Sequence, residues 1–387
     1  MINSDPIPIW ITGAGQVSAA GVTLEDLFKV SSADVHVLNW GSEGWNGAIS
    51  EAMKKELSLT RKTPDLAIQM ASLAAKAALA QTRWTAAEKK TSGLILGSSR
   101  GLTRSLESSY LQFYQNQTVP VTTSPQTTSG RLVSQLANEL GLGGAFYSLS
   151  ITCSSALMAV LNAIAWMKAG MINKFIVGGS EAACTPFTIG QLKALRIYSK
   201  PNPEERWPCR PFDKDRPSGL VLSEAAAVMA LESGNPTQPP FAQILGWGIG
   251  HEIPSSDTGI SATGQAFHDA MQNAIKQDTS PGAVDVIITH SPGTAQGDQA
   301  EFTAIQQLWG DTVPFLYPSK WLTGHTFGAS GALALLQAIG LFSQKAPILY
   351  PPWMNNPAQP KSIRKCLINA GGFGGQAISI LLGAPNA

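Results

Sequence analysis

Short apolar runs alternate with longer amphipathic segments along this chain. A short apolar run bounded by turn residues is typical of a buried strand, and apolar positions at helical spacing over about ten residues are typical of a helix. The predicted strands are Ile9–Thr12, Ser92–Leu96, Phe175–Val177, Ala225–Leu231, Val284–Thr289, Cys366–Asn369 and Ala377–Leu382. The predicted helices are Pro64–Gln81, Ser129–Leu140, Ser155–Ala169, Ala262–Gln277, Gln299–Leu308 and Ser330–Ser343. Strands that alternate with helices favour an α/β fold.

One helix–strand unit occurs twice. Ser154–Ile164 resembles Ala329–Ile339, and each segment is followed by a lysine, an apolar strand and glycines, at Lys174–Gly179 and Lys365–Gly372. Alanine-rich helices also resemble one another by chance, but the matching strand and glycines favour a duplicated fold.

The length of 387 residues allows two domains or one large duplicated fold. The polar stretch Glu232–Pro240, rich in Pro and Gly, is the expected junction, and it separates halves at 1–235 and 241–387.

Charge and hydropathy restrict the possible partners. A net charge of +1, from 27 basic and 26 acidic residues, argues against general binding to nucleic acid or an anionic membrane. No apolar stretch reaches the roughly eighteen residues of a membrane span, and the N-terminus lacks the features of a secretion signal, so we expect a cytoplasmic protein. The cysteines show no zinc-binding spacing and are expected to be reduced thiols: Cys153, Cys184, Cys209 and Cys366.

Cys153 lies at the predicted start of the helix that begins at Ser155. The positive end of a helix dipole and its free N–H groups favour a thiolate. A thiolate can accept an acyl group from another thioester. The ordinary alternative for a lone cysteine is a buried, unreactive side chain, which is our interpretation of the other three.

Two histidines lie in loops of small residues. His290 ends the predicted strand Val284–Thr289, and His325 lies just before a helix. Functional sites in α/β folds form at the ends of strands. A histidine there can donate a hydrogen bond to an oxygen on which negative charge develops. The alternative is a structural histidine, which is our interpretation of His36, His251 and His268.

Charged residues accompany both histidines. Lys320 precedes His325 by five residues and would stabilise an anion if it were partly buried; otherwise it is a surface lysine. Asp298 and Glu301 follow His290 near a helix start. The pattern leaves three roles open for these acids: orienting the His290 loop, holding a cation, or stabilising the helix terminus.

The segment Asn369–Gly375 is a glycine-rich loop after a strand. It fits neither the phosphate-binding G-x-x-x-x-G-K pattern nor a dinucleotide fingerprint. It is either a tight turn or, beside a nucleophile, a source of backbone N–H groups for an oxyanion hole.

Together these segments resemble the β-ketoacyl-[acyl carrier protein] synthases, condensing enzymes of the thiolase-like superfamily, over nearly the whole chain. The matching motifs occur in the family's order: Ile9–Gly15 as the first strand and turn, Cys153 as the acyl-accepting cysteine, Arg210–Arg216 as the R-P-F-D-x-x-R run, His290 with Gly293, Thr294 and Asp298, Lys320 with Gly324 and His325, and Gly372–Gly375 as the G-F-G-G loop.

The resemblance implies an α/β, thiolase-like duplicated fold of five layers, α-β-α-β-α, with two mixed sheets. It also implies a dimer, either a homodimer or a heterodimer with a related ketosynthase-like chain, an acyl carrier protein as partner, and no metal or organic cofactor. The implied reaction is decarboxylative condensation with malonyl-[acyl carrier protein] in fatty-acid-like, polyene or polyketide chain elongation.

The resemblance also assigns roles. Cys153 takes the acyl chain, and its N–H and that of Phe373 hold the oxyanion. His290 and His325 hold the malonyl carbonyl and favour loss of carbon dioxide, and Lys320 supports His325. Phe373, between Gly372 and Gly374, gates the acyl site, while Thr294, Asp298 and Glu301 support the His290 loop.

Several positions depart from the family pattern. Ala334 stands where an acidic residue follows the second histidine by nine positions, and Gly371 replaces an aromatic residue two before the gate. Glu224–Ala227 replaces E-G-A-G after one extra residue, and Ser291-Pro292 places a proline in the histidine loop. These changes indicate a divergent secondary-metabolism member, with aryl-polyene and type II polyketide systems as settings.

Two alternatives remain. The chain could be a chain-length-factor-like partner of an active ketosynthase, or a thiolase acting on coenzyme A thioesters, which the two-histidine pattern disfavours. The acidic carrier protein predicts a basic surface patch, for which the candidates are Arg61, Lys62, Lys193, Arg196 and Lys200; each is also explained as ordinary solvated surface.

Overall fold

A computed structural model of the chain describes residues 7–30, 37–57, 65–215, 218–254, 259–280, 282–343, 347–355 and 358–385. The strands are β1 (Ile9–Ser18), β2 (Asn39–Gly41), β3 (Gly44–Asn46), β4 (Gly93–Gly97), β5 (Phe146–Leu149), β6 (Lys174–Glu181), β7 (Ala225–Ser233), β8 (Ala242–His251), β9 (Val286–Ile288), β10 (Phe315–Tyr317), β11 (Lys365–Gly372) and β12 (Gln376–Gly383).

The helices are α1 (Leu24–Val30), α2 (Glu51–Glu56), α3 (Leu66–Ala80), α4 (Ala86–Lys89), α5 (Thr103–Asn116), α6 (Thr123–Thr127), α7 (Arg131–Leu140), α8 (Ser155–Lys168), α9 (Pro186–Ala194), α10 (Gln265–Ile275), α11 (Ala295–Trp309), α12 (Lys320–Thr323) and α13 (Ser330–Ser343). In the described part of the chain, no helix combines the length and the apolar character needed to cross a membrane.

Ten strands form one continuous mixed sheet that consists of two five-stranded halves with the same topology, and β2 and β3 form a separate two-stranded sheet. In the first half, β5, β4 and β6 are parallel, and β7 and β1 continue the sheet antiparallel. In the second half, β10, β9 and β11 are parallel, and β12 and β8 continue it antiparallel. The halves meet where β1 pairs with β8 over three residues, from Ile9 opposite Ile244 to Ile11 opposite Ala242. This matching order is the duplication that the repeated helix–strand unit predicted.

Alternation along the strands creates the five layers. In β4, Ile95 faces a central layer formed by α8 and α13, whereas Leu94 and Leu96 face α3 and α7 on the outside. In β9, Ile288 faces the same central layer and Ile287 faces α10 and α11. Because side chains in a strand alternate between faces, each half of the sheet is covered by helices on both sides. The predicted α-β-α-β-α arrangement is confirmed.

The connection between the halves runs from the end of β7 at Ser233 to the start of β8 at Ala242. The first two residues of the predicted junction, Glu232 and Ser233, therefore belong to a strand. We propose that the halves divide within this connection, at 1–235 and 241–387.

The predicted elements are present with shifted ends. Among the elements that the sequence did not predict, helix α5 and strand β8 are the longest. In β8, glycines at every second position interrupt the apolar pattern because α10 lies against them. A Cβ at Gly246, Gly248 or Gly250 would come within 2.0 Å of a backbone oxygen of α10. Helix α5 was missed because its apolar side chains, including Tyr110 and Tyr114, are exposed rather than buried.

Candidate active site

Cys153 lies in the turn between β5 and α8. Thr152 adopts a left-handed backbone conformation with φ of 55°, which is uncommon for a β-branched residue. Ser155 holds this turn, since its Oγ donates to the Thr152 carbonyl at 2.6 Å and accepts from the Ile151 N–H at 2.9 Å. Ser154, which precedes the helix, provides no side-chain cap, and the N–H of Ser155 donates to the Thr152 carbonyl at 3.3 Å.

The Cys153 thiol faces a histidine. Its Sγ lies 3.2 Å from Nε2 of His325. Burial raises the pKa of the thiol to about 12, while the charge of Lys320 acts to lower it and that of Glu181 to raise it. The direction of this shift is opposite to the one we expected at the start of a helix, and burial is its largest cause.

His290 and His325 lie together, with ring centroids 5.3 Å apart and ring planes at 79°. The backbone of His325 is fixed on both sides, because its N–H donates to Val221 at 2.7 Å and its carbonyl accepts from Ser223 at 3.0 Å. Burial, aided by the charge of Lys320, lowers the pKa of both imidazoles well below 6.5, so both are neutral at neutral pH. Among the described residues, neither Nδ1 has a hydrogen-bond partner.

Glu301 supports the His290 loop from α11. Its carboxylate is fully buried and accepts from the N–H of His290 at 2.8 Å and of Ser291 at 2.7 Å. The side-chain amide of Asn369, in β11, donates to the same carboxylate at 2.9 Å. Burial raises the pKa of Glu301, and these hydrogen bonds oppose that rise. Of the three roles that the sequence left open for Glu301, this geometry fits the orientation of the His290 loop.

Asp298 joins the same loop to a second segment. It accepts from the N–H of Gly293 at 3.1 Å and from the N–H of Phe212, in the R-P-F-D run, at 2.9 Å. Burial raises its pKa to about 7. Thr294 is the N-terminal flanking residue of α11 but makes no side-chain cap. Within the ranges the structure covers, no group of three or more His, Cys, Asp or Glu side chains is arranged to hold a metal ion.

Lys320 is buried, and its Nζ donates to the Thr289 carbonyl at 3.3 Å. Burial lowers its pKa, while Glu301 and Asp298 are among the groups that raise it. Ala334, where the resemblance predicts an acid, packs in the apolar central layer instead. The negative charge near Lys320 therefore comes from α11 rather than from α13.

The β11–β12 hairpin brings the glycine-rich loop against the Cys153 turn. A Cβ at Gly372 would lie 2.0 Å from Oγ1 of Thr152 and 3.3 Å from the backbone nitrogen of Cys153. Phe373 is at the tip of the hairpin and is 41% exposed. Gly374, which follows it, has a φ of 91° that favours glycine.

The space above Gly371 is filled by Phe267 of α10. A Cβ at Gly371 would lie 2.5 Å from Cζ of the Phe267 ring. The same ring lies beside His290, with centroids 6.2 Å apart and planes at 32°. The aromatic residue that the family carries at position 371 is thus replaced by one from a different element.

The basic residues predicted to bind the acyl carrier protein lie in different environments. Arg61 and Lys62 lie outside the described residues. Lys193 forms an ion pair with Glu43 at 3.4 Å. Arg196 and Lys200 are exposed near the end of α9.

Two buried residues at this site were missed from the sequence, Phe267 and Glu181. Phe267 carries no local signal, since it is one of many apolar positions on its helix. Glu181 does carry a sequence signal, because it is an acidic residue at the end of the buried strand β6.

The two halves of the sheet have the same strand order. A cysteine lies at the start of a central helix, and the second half contributes two histidines. These features define a thiolase-like fold. Solved structures agree with this fold. The ishigamide ketosynthase/chain length factor matches with a TM-score of 0.82 at 19% identity, covering 98% of this chain and 100% of that one. A ketosynthase in complex with its chain length factor from Xenorhabdus doucetiae gives 0.76 at 23% identity, covering 98% and 99%.

Models of the β-ketoacyl synthase N-terminal and C-terminal domains match residues 42–236 and 241–347. The chain therefore belongs to the β-ketoacyl synthase family. A 3-oxoacyl-[acyl-carrier-protein] synthase 2 of Vibrio cholerae is 27% identical over 96% of this chain and 97% of its own length. A putative mitochondrial 3-oxoacyl-[acyl-carrier-protein] synthase of Schizosaccharomyces pombe is 30% identical over 66% of each protein.

Proposed function

We propose that this protein catalyses the decarboxylative condensation of an acyl thioester with malonyl-[acyl carrier protein], to give a β-ketoacyl-[acyl carrier protein]. The observation that carries the proposal is the Cys153 thiol 3.2 Å from His325 Nε2, with His290 beside that imidazole. This arrangement places a nucleophile beside two neutral imidazoles, each of which can donate a hydrogen bond to a thioester carbonyl.

In the first step, Cys153 Sγ attacks the carbonyl of the incoming acyl thioester. The thiol proton ends on the departing carrier sulfur, so the acyl group moves to Cys153 and the carrier leaves as a thiol. The N–H groups of Cys153 and Phe373 hold the oxyanion, which the contact between Gly372 and the Cys153 turn supports.

In the second step, His290 and His325 donate hydrogen bonds to the malonyl thioester carbonyl. The malonyl carboxylate leaves as carbon dioxide and its bonding electrons pass to the α-carbon as an enolate. That carbon attacks the Cys153 thioester, and the cysteine leaves as a thiolate. Lys320 helps to keep both imidazoles neutral and stabilises the enolate charge, since its ammonium is buried within the same site.

The test is a reconstituted reaction with acyl- and malonyl-[acyl carrier protein], read by mass spectrometry. Wild-type protein should carry the acyl group on Cys153 and form the β-ketoacyl product, and Cys153→Ala should form neither. Undiminished condensation by Cys153→Ala beside a partner ketosynthase would instead support the partner-subunit role. Product formed without malonyl-dependent release of carbon dioxide would support a thiolase.

The proposal includes a dimer with a second ketosynthase-like chain. Strand β5 is an end strand of its sheet, and an unpaired strand edge is a ready pairing site. Helix α5 exposes a cluster of apolar side chains, Leu106, Tyr110, Leu111, Phe113 and Tyr114. An exposed apolar patch of this kind marks an interaction surface. A structural neighbour of this chain is a ketosynthase in complex with its chain length factor.

The proposal also includes delivery of both substrates by an acyl carrier protein, without a metal or organic cofactor, in the cytoplasm. One neighbour, 21% identical with a TM-score of 0.82, is a type II polyketide ketosynthase with its acyl-carrier protein. On this chain, α9 exposes Phe187 and Lys193, and the residues after it expose Leu195 and Arg196. Apolar and basic side chains on one short segment suit an acidic carrier protein.

A further inference from the structure

The buried carboxylate of Glu181 joins segments that are separate in the sequence and lie next to the candidate active site. It ends β6 and is 0% exposed. One of its oxygens accepts from Ser98 Oγ at 3.3 Å and from the Arg100 N–H at 3.2 Å. The other accepts from the Ser99 N–H at 2.6 Å and from the Gly328 N–H at 3.1 Å. All four donors are neutral groups, and no ion pair joins Glu181 among the described residues.

The bond to Gly328 holds a strained turn. Phe327, one residue earlier, has a φ of 44°, in the left-handed region that costs energy for a side chain other than glycine. Such a conformation persists only where the surroundings fix it. A Cβ at Gly328 would lie 2.3 Å from the Ser99 nitrogen, so the turn is pressed against the Ser98–Arg100 loop.

The same turn sets the surroundings of His325. The Phe327 ring is buried and meets the His325 ring edge-on, with centroids 5.5 Å apart and planes at 87°. No described residue makes a hydrogen bond to Nδ1 of His325, so its ring orientation depends on its other contacts. Packing against Phe327 therefore helps to direct Nε2 toward Cys153.

We propose that Glu181 is a positioning residue, whose carboxylate fixes the Phe327–Gly328 turn and through it the His325 imidazole opposite Cys153. Activation of the thiol is not its role, because the negative charge of Glu181 acts to raise the pKa of Cys153. A buried carboxylate without a cation partner costs stability, and here it joins β6 to the turn after His325. This inference rests on the proposed condensation, since His325 serves that reaction.

Glu181→Gln tests the inference. Each carboxylate oxygen accepts two donors, so either orientation of the amide points its NH2 group at two of them. Two partial reactions are measured on the full-length protein: transfer of an acyl group to Cys153, and single-turnover condensation of pre-acylated protein with malonyl-[acyl carrier protein]. Since a misplacement of about 1 Å can cost about 100-fold in rate, we expect condensation to fall about tenfold or more, and acyl transfer to fall much less.

Glu232→Gln is the matched control. Glu232 is a buried carboxylate in β7 that accepts from Trp84 Nε1 at 2.9 Å and from Gln238 Nε2 at 3.0 Å, away from the site. Unlike Glu181, it also forms an ion pair with Lys174 at 3.4 Å. We expect it to lower the melting temperature while the ratio of the two partial rates stays at the wild-type value. Equal losses in both partial reactions of Glu181→Gln, or unchanged condensation, would overturn the positioning role.

If Glu181→Gln does not fold, Glu181→Asp carries the test. It keeps the charge but draws the oxygens away from Gly328, and the same selective loss of condensation is expected. An equal loss in both steps would again overturn the inference. A wild-type protein that accepts the acyl group but never condenses would refute the proposed function instead, so the two failures are distinguishable.

Discussion

Truncation of Phe267 to alanine should separate the function of His290 from that of Cys153. The Phe267 ring is 1% exposed and packs between Gly371 and the His290 ring. In the described part of the chain Nδ1 of His290 has no hydrogen-bond partner, so we expect packing against Phe267 to help orient the imidazole. The lost ring should cost about 3–5 kcal/mol of unfolding free energy, as buried Phe→Ala changes do.

Loss of the Phe267 ring should also lower the condensation rate, because the His290 imidazole would no longer be packed in place. A loss of about 1.4 kcal/mol of transition-state stabilisation lowers a rate about tenfold. We therefore expect condensation by Phe267→Ala to fall about tenfold or more, with acyl transfer to Cys153 within about twofold of wild type. Intact-mass measurement of acyl transfer and single-turnover condensation read the two steps separately, and circular dichroism confirms that the variant is folded.

The reciprocal change tests whether Phe267 replaces an aromatic side chain at 371. Gly371→Phe alone should be strongly destabilising, because even a Cβ there would lie 2.5 Å from the Phe267 ring. Combined with Phe267→Ala, the new ring should occupy the vacated space and recover part of the condensation rate. Losses that simply add in the double variant, or normal condensation in Phe267→Ala, would refute the reasoning.

Three further predictions concern the surface and the pH response. Arg196→Glu should raise the KM for the acyl carrier protein more than Lys193→Glu, because Lys193 is already in an ion pair, and unchanged KM values in both would remove this patch. The double variant Tyr110→Asp, Tyr114→Asp should shift the mass measured by sedimentation toward the monomer. An unchanged dimer would exclude this face of α5 from the dimer interface. Burial raises the Asp298 pKa from 3.8 to about 7, so the folded state retains a proton that the unfolded state loses, and this contribution to stability falls as pH rises through that range. Relative to Asp298→Asn, wild type should therefore lose unfolding free energy between about pH 4 and pH 7 in denaturant titrations, and parallel pH curves would contradict the assignment.

The sequence predicted the parts of the fold in which burial and periodicity coincide. Helices α8 and α13 are apolar on nearly all sides because both lie between the two halves of the sheet, so their repeat was visible. Strand β8 was not predicted, since glycines occupy alternate positions in it to admit α10. Close packing of a helix on a sheet is a tertiary requirement that local apolar patterns do not record.

The chemistry of the site was more visible than its supports. Cys153, His290 and His325 stand in short motifs that can be recognised one by one. Phe267 and Glu181 act from elements far away in the chain, and only the folded backbone brings them to the histidines. The direction of the Cys153 pKa shift was also beyond the sequence, because the position at a helix start can be read from the sequence whereas burial depends on the folded core.

The departures at Ala334 and Gly371 have structural counterparts within the same chain. Phe267 fills the space at Gly371, and the carboxyl groups of Glu301 and Asp298 lie near Lys320 while they hold the His290 loop. A subunit that had lost catalysis would have no need to keep these buried acids, which cost stability where they stand. The arrangement around the histidines therefore favours an enzyme over a partner subunit, and it explains how both family residues could be replaced without dismantling the site.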